Sequence, residues 1–338
     1  MGRASRARRV AAYGGGGLGA LGLGVGATFY GLMVGQSRLA RRRIPVPESA
    51  PPAAHDTIWS APDVPADRDP ISVAWLGDSL AAGYGVHRDV DTPAVRNARA
   101  VSAITHQPVR IANVAVVGSE SADLDEQIAR LAEPPDIAVI VIGANDVTHR
   151  VKPKDAVRHL AAAVQDLRAM GAEVIVCTCP DLGNIRPIGQ PLRTLVRRMS
   201  RNLAAAQTIA VVEAGGRTVS LGDMLGPLFA SRDDLFSDDK FHPSAEGYAE
   251  AADALLPSVL DALGIYTDSR TATPLALRRT RPVARAAAKA AAHPGTEVAA
   301  TELHGESIGR RGRWARIIRR QPPVRTPDLE SVTATTDA

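Results

Sequence analysis

Two cysteines in 338 residues, Cys177 and Cys179, cannot build a disulfide framework. Burial of apolar side chains must therefore hold the fold. Aromatic residues are also scarce at 4%, so the 45% apolar content rests on Ala, Val, Leu and Ile. That share, with 22% charged residues, excludes a wholly disordered or fibrous chain. The eight histidines show no paired metal-ligand spacing, and no metal is expected. No Gly-x-x-x-x-Gly-Lys loop occurs, and no Gly-x-Ser-x-Gly elbow, which argues against P-loop chemistry and the α/β-hydrolase arrangement. Gly17-x-Gly19-x-x-Gly22 fits the dinucleotide fingerprint in form, but no strand precedes it. No cofactor is implied.

Charge is unevenly spread. Residues 1–70 carry 9 Lys and Arg against 5 Asp and Glu, residues 71–266 carry 18 against 24, and residues 267–338 carry 13 against 7. The stretch expected to fold is acidic, so nucleic acid is not an expected partner; the basic flanks point instead to an anionic surface. Val10 to Ser37 is a run of 28 uncharged residues with arginines on both sides. It is long enough to cross a bilayer core, which needs about 20 apolar residues. Residues 1–43 are accordingly read as an export signal-anchor, and residues 44–70, Pro-rich, as a linker. The catalytic domain would then lie outside the cytoplasm, at the cell envelope, or be secreted if the segment is cleaved. Residues 267–338 lack periodicity and read as a basic, mostly disordered tail. Within it, Trp314, Ile317 and Ile318 would share one face of a helix among arginines. Such a helix could lie on a membrane, and a solvated charge run fits equally well.

Between Ile71 and about Tyr266 the pattern is regular. Apolar runs at Ile71–Leu76, Val109–Val114, Ile137–Ile142, Glu173–Cys177 and Thr208–Val212 read as buried strands. Helical stretches alternate with them: Thr92–Thr105, Ser121–Leu131, Pro153–Met170, Pro191–Ala206 and Pro243–Leu263. This rhythm predicts an α/β/α sandwich on a five-stranded parallel, flavodoxin-like sheet, with its ligand site at the carboxyl ends of the strands.

Polar residues gather at that edge. Ser79 follows the first strand in Gly77-Asp78-Ser79-Leu80, Gly118 follows the second, and Asn145 follows the third in Gly143-Ala144-Asn145-Asp146. His242 stands before the last helix in Asp239-Lys240-Phe241-His242-Pro243. Each has a bland reading as a cap, turn or surface residue. Together, and in this order, they resemble the blocks of the SGNH hydrolases, also called GDSL esterases and lipases. The resemblance extends to Ala82-Gly83-Tyr84-Gly85 and Gly247-Tyr248, covers about residues 71–264, and looks like an exported actinobacterial member.

The resemblance implies a serine esterase acting on carboxylic esters through an acyl-serine intermediate, and the mostly short expected loops, with no obvious lid domain for long lipids, point to short-acyl or acetyl esters. Ser79 would be the nucleophile, His242 its base and Asp239 the partner of the imidazole. The Ser79 and Gly118 N–H groups and the Asn145 amide would form the oxyanion hole. Lipase, thioesterase or acyltransferase action could use the same residues, and a non-catalytic envelope binding protein is the rival from another class.

Overall fold

This computed structural model describes residues 71–220 and 231–265 without a break, most of 50–70, parts of 31–42, and Phe229. It also describes the segments 280–290, 296–300, 302–303, 306–307, 314–319 and 333–335. In chain order the first half comprises β1 (His55–Ser60), β2 (Ile71–Gly77), α1 (Ser79–Ala82), α2 (Pro93–Thr105), β3 (Val109–Asn113), α3 (Leu124–Ile128), β4 (Ile137–Val141), α4 (Ala144–Thr148) and α5 (Pro153–Ala169). The second half comprises β5 (Glu173–Cys177), α6 (Leu192–Glu213), β6 (Arg217–Val219), α7 (Ala245–Ala262), β7 (Thr280–Pro282), α8 (Val283–Ala290), β8 (Thr296–Ala300), β9 (Glu302–Leu303), β10 (Glu306–Ser307), β11 (Trp314–Arg319) and β12 (Thr333–Thr335).

The centre is a parallel sheet in the order β3-β2-β4-β5-β6. Every residue of β4 is buried, because helices cover both faces. Strand alternation divides the core in two. Val73, Trp75, Val139 and Ile175 point towards α2 and α7, where they meet Val101 and Val259. Ala74, Leu76, Ile140 and Val176 point the other way and meet Leu160, Val164 and Leu167 of α5. Each of those wholly buried α5 side chains contributes about 1.5–3 kcal/mol. Local chemistry sets the helix starts. Thr92 and Ser244 accept the Val95 and Gly247 N–H groups at the heads of α2 and α7, and Pro153 opens α5.

The sheet departs from the expected one in several places. Thr208–Val212, expected as the fifth strand, lies inside α6, and β6 takes the fifth place. Burial along α6 explains this: Ser200, Leu203, Ala204, Gln207, Thr208 and Val211 recur every third or fourth residue, a helical period. The expected linker contains β1, which pairs antiparallel with β3 and buries Trp59. The expected tail also contributes structure: β8 pairs antiparallel with β6, and α8 packs Ala286 and Ala290 against Val212. Trp314–Arg319 is a strand, not a basic helix; its backbone pairs with β8 and β7. Most of the uncharged run Val10–Ser37 lies outside the described residues. Among those described, no helix is long and apolar enough to cross a membrane.

Candidate active site

At the carboxyl end of β2 the backbone turns through Gly77, whose φ is +129°. A Cβ here would sit 1.9 Å from the Val141 carbonyl oxygen, so only glycine lets β2 and β4 run this close. Asp78 then caps α1 by accepting the Leu80 N–H at 3.0 Å, which leaves Ser79 as the first residue of a one-turn helix. Asp78 is buried, and that burial pushes its carboxyl up to about 7, with the charge of Asp146 adding to the effect.

His242 reaches this point from the loop before α7. Its Nε2 lies 2.9 Å from Ser79 Oγ, and its Nδ1 lies 2.5 Å from Asp239 Oδ2. Burial opposes ionisation of Asp239, but the hydrogen bond and charge of His242, with the N–H groups of His242 and Phe241, hold the carboxyl down to about 2. An ionised carboxylate only accepts, so Nδ1 carries the ring proton and Nε2 accepts the Ser79 hydroxyl proton. Asp239 is itself fixed by the Ser237 hydroxyl at 2.7 Å and by the Phe241 and His242 N–H groups at 2.8 Å. Tyr84 and Phe241 meet the imidazole edge-on, each with ring centroids 4.8 Å away. The Tyr248 hydroxyl donates to the Tyr84 carbonyl at 2.9 Å.

Gly118 sits exposed on the loop after β3 with φ +89°, and a Cβ there would meet nothing within 4 Å. The loop is tied to β2 by the Val116 N–H, which donates to the Gly77 carbonyl at 3.1 Å. Asn145, in the first turn of α4, donates from Nδ2 to the Ser119 carbonyl at 3.0 Å. That bond uses one of its two amide hydrogens. Asp146 accepts from both the Ser121 N–H and hydroxyl, and burial raises its carboxyl. Leu80 and Pro243, the chain neighbours of Ser79 and His242, help to line an apolar cavity of about 50 Å³ that also touches Trp75, Cys177 and Tyr248. Both thiols are free and buried, and burial pushes Cys177 up to about 12. Among the described residues no group of three or more His, Cys, Asp or Glu is arranged to hold a metal ion.

Residues 75–250 match the profile of the GDSL-like Lipase/Acylhydrolase family. The chain belongs to that family. The GDSL-like esterase Rv1075c of Mycobacterium tuberculosis is 42% identical over 242 residues, covering 69% of this chain and 77% of the relative. Among solved structures, the acetylxylan esterase Axe2 of Geobacillus stearothermophilus aligns at 16% identity with a TM-score of 0.44, over 58% of this chain and 95% of that one. TesA aligns at 21% identity with a TM-score of 0.43, over 57% and 97% respectively. As a GDSL-like member, the protein is a carboxylic ester hydrolase of the SGNH type.

Ser79, Gly118, Asn145, Asp239 and His242, the site residues expected from the sequence of this GDSL-like hydrolase, lie at the carboxyl edge of its sheet. Ser79, His242 and Asp239 form one hydrogen-bonded line. Gly118 and Asn145 are joined through the intervening Ser119. Sequence reading did not find Ser237, which holds Asp239, or the two buried glutamines of this edge. Gln207 accepts the Cys179 N–H and donates to the Ile142 carbonyl, and Gln127 contacts Gly77 and Ser119. A lone Ser in a turn or a lone Gln on a helix carries no pattern that marks it.

Proposed function

We propose that Ser79 is the nucleophile, His242 the general base and Asp239 the group that holds the imidazole, in hydrolysis of short-acyl or acetyl carboxylic esters. The observation that carries this reading is the unbroken line from Ser79 Oγ through the imidazole to Asp239. In acylation, Ser79 Oγ attacks the ester carbonyl carbon as its proton passes to Nε2. The imidazolium then gives that proton to the leaving alkoxide. A water attacks the acyl-serine by the same route and regenerates the hydroxyl. The developing oxyanion is held by the Ser79 and Gly118 N–H groups and the Asn145 amide.

Short chains are favoured because the connections that carry Ser79 and Asn145 are short, with one residue between β2 and α1 and two between β4 and α4. Hydrolysis of p-nitrophenyl esters from acetate to palmitate tests this, with turnover expected to be fastest at the short end. A maximum at palmitate would overturn the short-acyl reading. A fluorophosphonate probe should label the wild-type enzyme and leave Ser79→Ala unlabelled. The same proposal places the enzyme at the cell envelope, supported by the arginine-flanked, uncharged run Val10–Ser37. The full chain should then fractionate with membranes, and removal of residues 1–43 should release most of it.

A further inference from the structure

Gln127 lies on α3, outside every segment that supplies a reacting group, yet its carboxamide is buried at the heart of the site. Its Oε1 accepts the Gly77 N–H at 2.7 Å, and its Nε2 donates to the Gly77 carbonyl at 2.9 Å and to Ser119 Oγ at 3.0 Å. The Gly77 N–H can only donate, so the amide orientation is fixed by its partner. Sheet register explains the position. β3 pairs with β2 only as far as Trp75 opposite Asn113, then leaves as the loop that carries Gly118. Beyond that point the loop keeps one bond to this edge of β2, from the Val116 N–H to the Gly77 carbonyl at 3.1 Å, and the Gly77 N–H is left without a backbone acceptor. The Gln127 side chain supplies that acceptor and also donates to the Gly77 carbonyl, so it bonds both backbone groups of the residue that leads into Asp78–Ser79. Its remaining hydrogen bond reaches the residue directly after Gly118.

The two backbone donors assigned to the oxyanion hole therefore sit on separate segments, and Gln127 joins them alongside the Val116–Gly77 backbone bond. Resting on the reading of Ser79 as nucleophile and of Ser79 and Gly118 as oxyanion donors, we infer that Gln127 is a positioning residue that fixes the distance between these donors through its bonds to Gly77 and Ser119. It touches no reacting atom. Its effect lies in the transition state, because the donors must converge on an oxyanion that the ground-state ester does not carry.

The test compares full-length wild type, Gln127→Met and Ser119→Ala on p-nitrophenyl acetate, with affinity for a trifluoromethyl ketone that forms a tetrahedral adduct as a second readout. Displacing groups by about 1 Å can cost on the order of a hundredfold. Gln127→Met is accordingly expected to lose about 10- to 100-fold in kcat with KM nearly unchanged, and to bind the ketone more weakly by a similar factor. Ser119→Ala, which cuts only the link to the Gly118 loop, should show a smaller loss with the same split. A folded Gln127→Met with wild-type kcat and ketone affinity overturns the inference. So does a loss that appears in KM alone, or one explained by a reduced folded fraction. Should Gln127→Met not fold, wild-type kcat in Ser119→Ala overturns it. Failure of the nucleophile reading itself would look different: the wild-type enzyme would resist fluorophosphonate, or Ser79→Ala would keep its turnover.

Discussion

A methyl group on Gly77 would collide with the Val141 carbonyl oxygen, in a backbone conformation that L-residues rarely adopt. Gly77→Ala should therefore cost about 2–4 kcal/mol in urea denaturation, and a change below half a kcal/mol would show that the strands can part. In the proposed mechanism Ser79 and His242 act on one proton, shared across their 2.9 Å hydrogen bond. Each alanine variant should lose several orders of magnitude in kcat, and the double variant should be hardly worse than either single one. Additive losses would mean that the two do not work as a unit. The buried carboxyls give opposite pH signatures. Asp239 is held down to about 2, so its contribution to stability is present above about pH 4 and is lost as pH falls towards 2. Asp78 is pushed up to about 7, so the folded state prefers its protonated form. Its contribution is complete below about pH 4 and is lost as pH rises towards 7. Asp78→Asn keeps an oxygen for the Leu80 N–H and removes the titration. The variant should gain stability relative to wild type by an amount on the order of 2–4 kcal/mol between pH 4 and 8. Parallel Tm curves across that range would contradict the assignment.

At the scale of elements, what the sequence made legible depended on length and period. The first four parallel strands are continuous apolar runs bounded by turn residues, and all four were expected within a residue or two. β6 is only three residues long and has no such run. Thr208–Val212 imitates a strand because its β-branched residues are adjacent, and the helical period shows only when Ser200, Leu203 and Gln207 are counted with it. β1 was hidden by the prolines around it. Trp59, buried at 4% exposure, joins β1 to the core, with the Arg99 guanidinium 5.8 Å from its ring centre. Trp59→Ala should cost about 3 kcal/mol or more in chemical denaturation while leaving kcat per folded molecule unchanged. The proposed site residues were legible for a different reason: Ser79 and Asn145 each follow a glycine by two positions at a strand end, and His242 precedes Pro243 at the head of α7. Gln127 and Ser237 act through other residues and have no such neighbours to mark them.

Across the whole molecule, residues 71–266 are acidic and lie between basic flanks. The segments 280–290 and 296–300 of the basic flank nevertheless pack onto the domain, through α8 on α6 and β8 on β6. A long-range feature of the site is the bond between His242 and Ser79, whose residues lie 163 apart in the chain. Everything from β2 to the head of α7 must be in place before this bond can form, and contacts so distant in sequence are slow to assemble. On dilution from denaturant, helical circular dichroism should recover first and ester hydrolysis later, as expected of a chain this long folding through intermediates. On the ribosome the same separation acts as a delay. Ser79 emerges early, and its hydrogen bond to His242, 163 residues later, waits until the head of α7 has been made and docked.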